Sequence, residues 1–125
     1  MHVCYGNNAS RPYAKRDMAR LLPAIEGLSA AVLFLEFANR EMAEIALLSG
    51  LAEKFDIAVG VIDVKSFHIE TPQDVAERIV RALEFIAADK LLVTADCGFS
   101  AIPRWLAREK LRAMVAGAKI AREQL

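Results

Sequence analysis

Ile57-Ala58-Val59-Gly60-Val61-Ile62-Asp63 has no polar side chain until it stops at a carboxylate. A strand with one solvated face would carry polar residues at every second position, so this run reads as a strand covered on both faces, as parallel strands are. The residues around it repeat the theme. Val64 to Glu70 is a loop, and Thr71-Pro72-Gln73-Asp74 then combines a capping hydroxyl, a first-turn proline and an acid three places after the cap, which starts a helix. Val75, Ile79, Leu83 and Ile86 give that helix a core face.

Downstream, Lys90 to Ala95 is the next strand, followed by Asp96-Cys97-Gly98-Phe99-Ser100. A last helix is expected from near Pro103 to the end, with Leu111, Met114, Val115, Ala118 and Leu125 as its apolar stripe. Upstream, Arg40 to Phe55 reads as a helix through Met42, Ile45, Leu48 and Leu51 despite Gly50. Ala31 to Phe37 is a buried strand broken only by Glu36. Before it, Met18, Leu21, Leu22, Ile25 and Leu28 fall at helical spacing from about Lys15, with Pro23 expected to kink or divide that helix. Gly6 to Pro12 is turn chemistry, and residues 1–5 (MHVCY) read as the end of a strand whose earlier residues are missing. Trp105 and the methionines are read as core.

Strand and helix therefore alternate four times, which argues for a parallel sheet with helical crossovers. His2, Glu36, Asp63 and Cys97, which interrupt or end the strands, succeed one another at intervals of 34, 27 and 34 residues. An eight-unit TIM barrel of about 250 residues allots about 31 to each unit. The fold class expected is α/β, with four βα units and parallel strands. It is equivalent to the second half of a TIM (β/α)8 barrel and forms one partial-barrel domain over residues 1–125.

The chain has 125 residues, 55% hydrophobic and 26% charged, with 16 basic and 16 acidic side chains. Zero formal charge leaves no electrostatic footprint for nucleic acid or an acidic membrane surface. No apolar run reaches the roughly 18–20 residues of a membrane span and no signal peptide is visible, so a cytoplasmic location is expected. In such a reducing compartment the two cysteines read as metal-binding, catalytic or buried rather than bridged.

Active sites of these barrels gather at the carboxyl ends of the strands. His2 and Cys4, two residues apart on a strand, share a face with their Cα atoms about 6.5 Å apart. With Glu36 and Cys97 they would make a zinc site of one nitrogen, one oxygen and two sulfurs. Taken singly, these residues have plainer explanations: His2 as a disordered terminal residue, Cys97 as a buried thiol, and Glu36 as a barrel-edge charge touching solvent. Asp63 and Asp96 read as structural acceptors or carboxylates that orient a zinc-bound imidazole. Asn39, Arg40 and Ser66 lie just past strand ends, where substrate contact and helix capping explain them equally well.

HVCY, FLEF, GVIDVKS and especially ADCGFS resemble the carboxyl-terminal catalytic barrel of cobalamin-independent methionine synthase, over essentially all 125 residues. The resemblance implies zinc held by His2, Cys4, Glu36 and Cys97, and methyl transfer to the thiol of homocysteine. The donor would be a methyl-folate or, as in short archaeal relatives, a methyl-corrinoid. Where some members place a His implicated in proton delivery this chain has Lys65, so Lys65 and the nearby His68 are the candidates for proton transfer. Ala95 stands before the D-C-G motif where many relatives have Pro.

The other half of the family's barrel, which supplies much of the homocysteine and folate pockets, is not in this sequence. Little activity is expected of it alone, and its open sheet edges invite a complementary half-barrel chain or self-association. Two further readings stand beside the methyltransferase. One is a non-catalytic half-barrel assembly module, and the other a related thiol alkyltransferase acting on coenzyme M or, more remotely, a decarboxylase of the uroporphyrinogen type.

Overall fold

All four expected strands form, and each pairs in parallel with its neighbour in sequence. The computed structural model describes residues 1–125. In chain order the strands and α-helices are β1 (His2–Val3), α1 (Leu22–Glu26), β2 (Val32–Leu35), α2 (Leu48–Leu51), β3 (Asp56–Ile62), α3 (Pro72–Leu83), β4 (Leu91–Ala95) and α4 (Arg104–Arg122). The sheet order is β1-β2-β3-β4, the succession of four consecutive units of a βα barrel. No helix is long and apolar enough to cross a membrane.

Register divides the strand residues between two environments. Val3, Leu35, Val59 and Val93 stand side by side on the face that the helices cover, where Leu33, Leu35, Ile57 and Val59 are buried with Leu48, Val75 and Ile79. His2, Phe34, Ala58 and Leu92 form a row on the opposite face, and there Phe34 is 39% and Leu92 44% exposed. That is the inward face of the barrel, with β1 and β4 as its edges.

Near its carboxyl end β3 carries an extra residue, since Gly60 pairs with Thr94 while Ile62 pairs with Ala95. Such a bulge bends a strand and re-aims the side chains beyond it. The glycine is sterically required: a Cβ there would lie 2.1 Å from Asp96 Oδ1 and 2.9 Å from the Leu35 carbonyl oxygen.

α3 starts as expected, with Thr71 Oγ1 accepting from the Asp74 amide at 3.1 Å and the Asp74 carboxylate accepting from the Thr71 amide at 2.8 Å. The helices around β2 differ from expectation. A 3-10 turn (Ala19–Leu21) leads into the short α1, where Pro23 sits in the first turn and so divides the expected helix. The long helix expected over residues 40–55 is only 3-10 turns at Ala38–Arg40 and Ile45–Leu47 and then α2, because Glu41, Met42 and Glu44 are left-handed. Outside partners hold that path. Glu44 accepts from the amides of Met18 at 3.2 Å and Ala19 at 3.1 Å and pairs with Arg40, and Arg81 donates to the Glu41 carbonyl at 3.2 Å. The apolar set Met42, Ile45, Leu48 and Leu51 is nonetheless buried as expected.

α4 is rotated from the expected stripe. Leu106, Lys110, Ala113, Gly117 and Ala121 are its buried residues, while Leu111, Val115 and Leu125 are exposed, as is Trp105. The cause is close approach to α3: a Cβ on Gly117 would lie 2.5 Å from Val75 Cβ and 2.6 Å from the Pro72 carbonyl oxygen. A pattern of large apolar residues does not register a seam made of glycine and alanine. Gly117→Ala is expected to lower the unfolding free energy by about 1–2 kcal/mol, overpacking outweighing the roughly 1 kcal/mol gain in helix propensity. Urea denaturation of the variant beside the parent checks it.

Candidate metal centre

β1 and β4 are the two edges of the sheet, yet the residues at their carboxyl ends meet. Strands about 4.8 Å apart would put these edges about 14 Å from each other in a flat sheet, whereas Cys4 Sγ and Cys97 Sγ are 3.9 Å apart. A ring nitrogen of His2 completes a group of three donors, all within 4.8 Å of one another. Strand alternation aims His2 and Cys4 to one side, and Cys97 comes from the turn after β4. Asn7 ties the two loops together by donating to the Gly98 carbonyl at 2.9 Å.

The spacing suits an ion. Two sulfurs each about 2.3 Å from a tetrahedral zinc are about 3.8 Å apart, and a disulfide would need about 2.05 Å. Cys4 Sγ accepts from the Gly6 amide at 3.4 Å. Burial pushes the Cys97 thiol above its ordinary range, with the adjacent Cys4 adding to the effect. Partial burial also pulls the His2 imidazole below its ordinary range, and an imidazole in its neutral form has a lone pair to offer a metal. Both thiols are half-buried and His2 is exposed, so an ion has a path in.

Glu36 lies at its expected strand end but not in this group. Its Oε1 is ion-paired with Lys65, and its Oε2 accepts from the Tyr5 amide at 3.2 Å. Asp96, fully buried, spans the strand ends. Its Oδ1 accepts from the amides of Phe37 and Ala38, each at 3.0 Å, and its Oδ2 from that of Asn39 at 2.6 Å. Burial pushes Asp96 up to about 7, against the pull of those three amides. Asp63 Oδ1 accepts from Asn39 Nδ2 at 3.1 Å and from the Lys65 amide at 2.8 Å. Ser66 closes a local turn by accepting from the His68 amide at 3.1 Å.

His68 is not brought to the donors; its exposed side chain lines a polar cavity with Glu41, Asp74, Glu77, Arg78 and Arg81. Arg40 is paired with Glu44, and Asn39 also accepts from Arg16. Sequence reasoning missed a buried network behind the site. Lys110, with no exposed surface, donates to Glu70 Oε2 at 2.8 Å and to the His68 carbonyl. Glu70 Oε1 accepts from the Asp63 amide at 2.8 Å and faces Arg78 Nη1 at 3.5 Å. The visible signal was a lysine between Leu106 and Met114 on the inner side of α4.

These features define a class: a parallel βα-barrel domain that gathers imidazole and thiol donors at its strand ends, where barrel enzymes do their chemistry. A family model described as "Cobalamin-independent synthase, Catalytic domain" matches residues 1–120, and the chain belongs to that family. It is 35% identical over 127 residues to a methionine synthase of Sulfurisphaera tokodaii, covering all of this chain and 33% of that protein. A 2-hydroxypropyl-CoM lyase of Xanthobacter autotrophicus is 48% identical over 75 residues, covering 60% of this chain and 20% of that protein.

Among solved structures, a B12-independent methionine synthase from Shewanella sp. W3-18-1, in complex with selenomethionine, matches with a TM-score of 0.83 at 30% identity. That match covers 98% of this chain and 38% of the other. The chain thus spans about a third of the length of such curated relatives.

Proposed function

We propose that this chain provides the metal-binding part of a thiol methyltransferase site, and that the reaction served is methylation of homocysteine to methionine. The observation that carries this reading is the convergence of His2, Cys4 and Cys97 on the scaffold of this family. When bound, zinc supplies positive charge that keeps a substrate thiol, ordinarily protonated at neutral pH, in its nucleophilic thiolate form.

The protein's part is to hold and orient. Cys4 and Cys97 contribute two negative charges and His2 a neutral donor. Glu36 is a further candidate ligand, one strand over from β1. Asp96 holds the loop after β2 through three amides. The substrate thiol gives up its proton and forms a sulfur–carbon bond as the methyl group leaves its carrier; a folate carrier takes a proton on the nitrogen it frees, whereas a corrinoid carrier keeps the bonding electron pair on cobalt and the thiol's proton goes to solvent. Lys65 is the buried cation nearest this exchange, its charge felt by both His2 and Cys97, and it is our candidate for proton transfer ahead of His68. The remaining pocket would come from further βα units seated against β1 and β4, in the same polypeptide, a complementary chain or a second copy.

The 48% identity to a 2-hydroxypropyl-CoM lyase supports a second reading, alkyl transfer involving coenzyme M on the same donors. Metal analysis tests both. One zinc per chain is expected, and Cys97→Ser is expected to weaken zinc binding by more than about a hundredfold, since groups that merely support ligands are worth 10- to 100-fold. A well-folded parent chain free of zinc overturns both readings. X-ray absorption separates them: the thiol that adds a third sulfur to the zinc, homocysteine or coenzyme M, marks the substrate.

A further inference from the structure

The loops that flank the two cysteines carry charge of one sign. Residues 6–16 and 97–108 hold five basic side chains and no Asp or Glu. The neutral total hides this, because eleven of the sixteen acids fall between Glu36 and Asp89. We propose that this basic rim, with its exposed aromatic rings, is a docking surface for a protein with an acidic face, seated over His2, Cys4 and Cys97.

The two stretches form one surface. Both follow strands at the carboxyl end of the sheet, and Asn7 joins them by donating to the Gly98 carbonyl at 2.9 Å. The Tyr13 amide donates to the Tyr5 carbonyl at 2.7 Å, and its ring lies on Gly6, where a Cβ would come within 2.4 Å of Tyr13 Cδ2. The Gly6 amide in turn donates to Cys4 Sγ at 3.4 Å, so this ring neighbours the donor group. It is nonetheless 75% exposed, and Trp105, at the start of α4, is 60% exposed.

The cations are uncommitted. Arg16 is engaged with Asn39, but Arg11, Lys15, Arg104 and Arg108 are exposed and form no ion pair. The acids next to these stretches are occupied: Asp17 by Arg20 at 2.8 Å, Glu109 by Arg112, and Asp96 by three amides. Stability does not explain the placement. Cations near the start of a helix oppose its dipole, and the first turn of α4 has no acid to offset them.

Composition and shape choose the occupant. Tyr, Trp and Arg are the residues that dominate binding energy at protein interfaces, and all three stand exposed here. Small ligands are held in concave pockets, whereas the principal cavities of the chain are lined by other residues. A nucleic acid calls for a net positive domain, which a chain of zero formal charge is not. An acidic protein face would be steered in by the cations and held by the two rings. On the methyl-transfer reading, which this inference extends, such a partner is placed to present a protein-borne methyl carrier to the donors. The docking itself stands on the surface alone.

Trp105 is the single tryptophan, so its fluorescence reports on the rim directly. The probe is a synthetic acidic helical peptide of glutamate, alanine and leucine, added to the full chain with a chelator present. A saturable change in emission is expected, with affinity falling about fivefold when salt is raised, because the cations are exposed. Arg104→Gln/Arg108→Gln and Tyr13→Ala are each expected to weaken binding by about tenfold, as loss of an interface anchor does. Lys119→Gln/Arg122→Gln removes the same charge from the far end of α4 and is expected to change affinity by less than about twofold. No binding, equal weakening by the two charge pairs, or amide shifts that map away from residues 6–16 and 97–108 overturn the inference. Tighter binding of single-stranded DNA or of triglutamate than of the peptide overturns it as well, by making the rim a site of another kind. Because metal is withheld throughout, failure here leaves the metal-centre reading to its own zinc analysis, and a chain without zinc leaves this result unaffected.

Discussion

Lys110→Met is expected to lower the unfolding free energy by about 3–5 kcal/mol, although methionine keeps most of the volume and suits a helix well. The loss comes from the groups that remain behind. The Glu70 carboxylate, 3% exposed, would keep only Arg78 at 3.5 Å and the Asp63 amide, and the His68 carbonyl would lose its donor. Removing one member of a buried pair costs more than removing both, because an uncompensated charge stays in a poor solvent for it. Glu70→Gln added to Lys110→Met should therefore recover part of the loss. Urea titrations of the parent, both single variants and the double variant close the cycle. A loss in the double variant equal to the sum of the two single losses would show that the charges are not coupled. Faster amide exchange across residues 63–70 should accompany the single variant, since that loop is pinned by the network.

Asp96→Ala is expected to cost about 3 kcal/mol, from three amides each worth about 1 kcal/mol. Both carboxyl oxygens have lone pairs in either protonation state, so the amides of Phe37, Ala38 and Asn39 are served whether or not the group is ionised. Alanine serves none of them. The damage should also reach the metal centre, because the residue next to Asp96 is Cys97. Zinc affinity should fall together with stability, and calorimetry with and without zinc measures the two. A variant as stable as its parent would mean that the loop after β2 finds other partners.

Much of the fold was legible because the strands are apolar throughout and their ends recur at barrel spacing, and because the Thr71 to Asp74 cap satisfies its own amides without help from elsewhere. The path from Ala38 to Leu51 was not. Its left-handed residues are two glutamates and a methionine, none of them a turn former, and their conformation depends on Arg81, Arg40 and the amides of Met18 and Ala19, which no local pattern announces.

The site divides in the same way. His2, Cys4 and Cys97 lie with their donor atoms within 4.8 Å of one another, and strand parity alone accounts for His2 and Cys4 sharing a side. The engagement of Glu36 with Lys65 depends on a loop after the neighbouring strand, and Lys110 belongs to a residue type ordinarily at the surface, so neither pairing could be read along the chain.

An ion held by Cys4 and Cys97 would also join the chain into a ring. The two sulfurs are 93 residues apart in sequence, so an ion held between them closes a loop of most of the polypeptide. A covalent link over about 100 residues removes about 4.7 kcal/mol of conformational freedom from the unfolded chain. β1 reaches the sheet through only two paired residues, helped by the Met1 ammonium on the Val32 carbonyl and the Tyr5 amide on Glu36. Capture of an ion should then steady that strand further, and a chelator added to the metal-loaded chain should loosen β1 while leaving the packing of α3 against α4 intact.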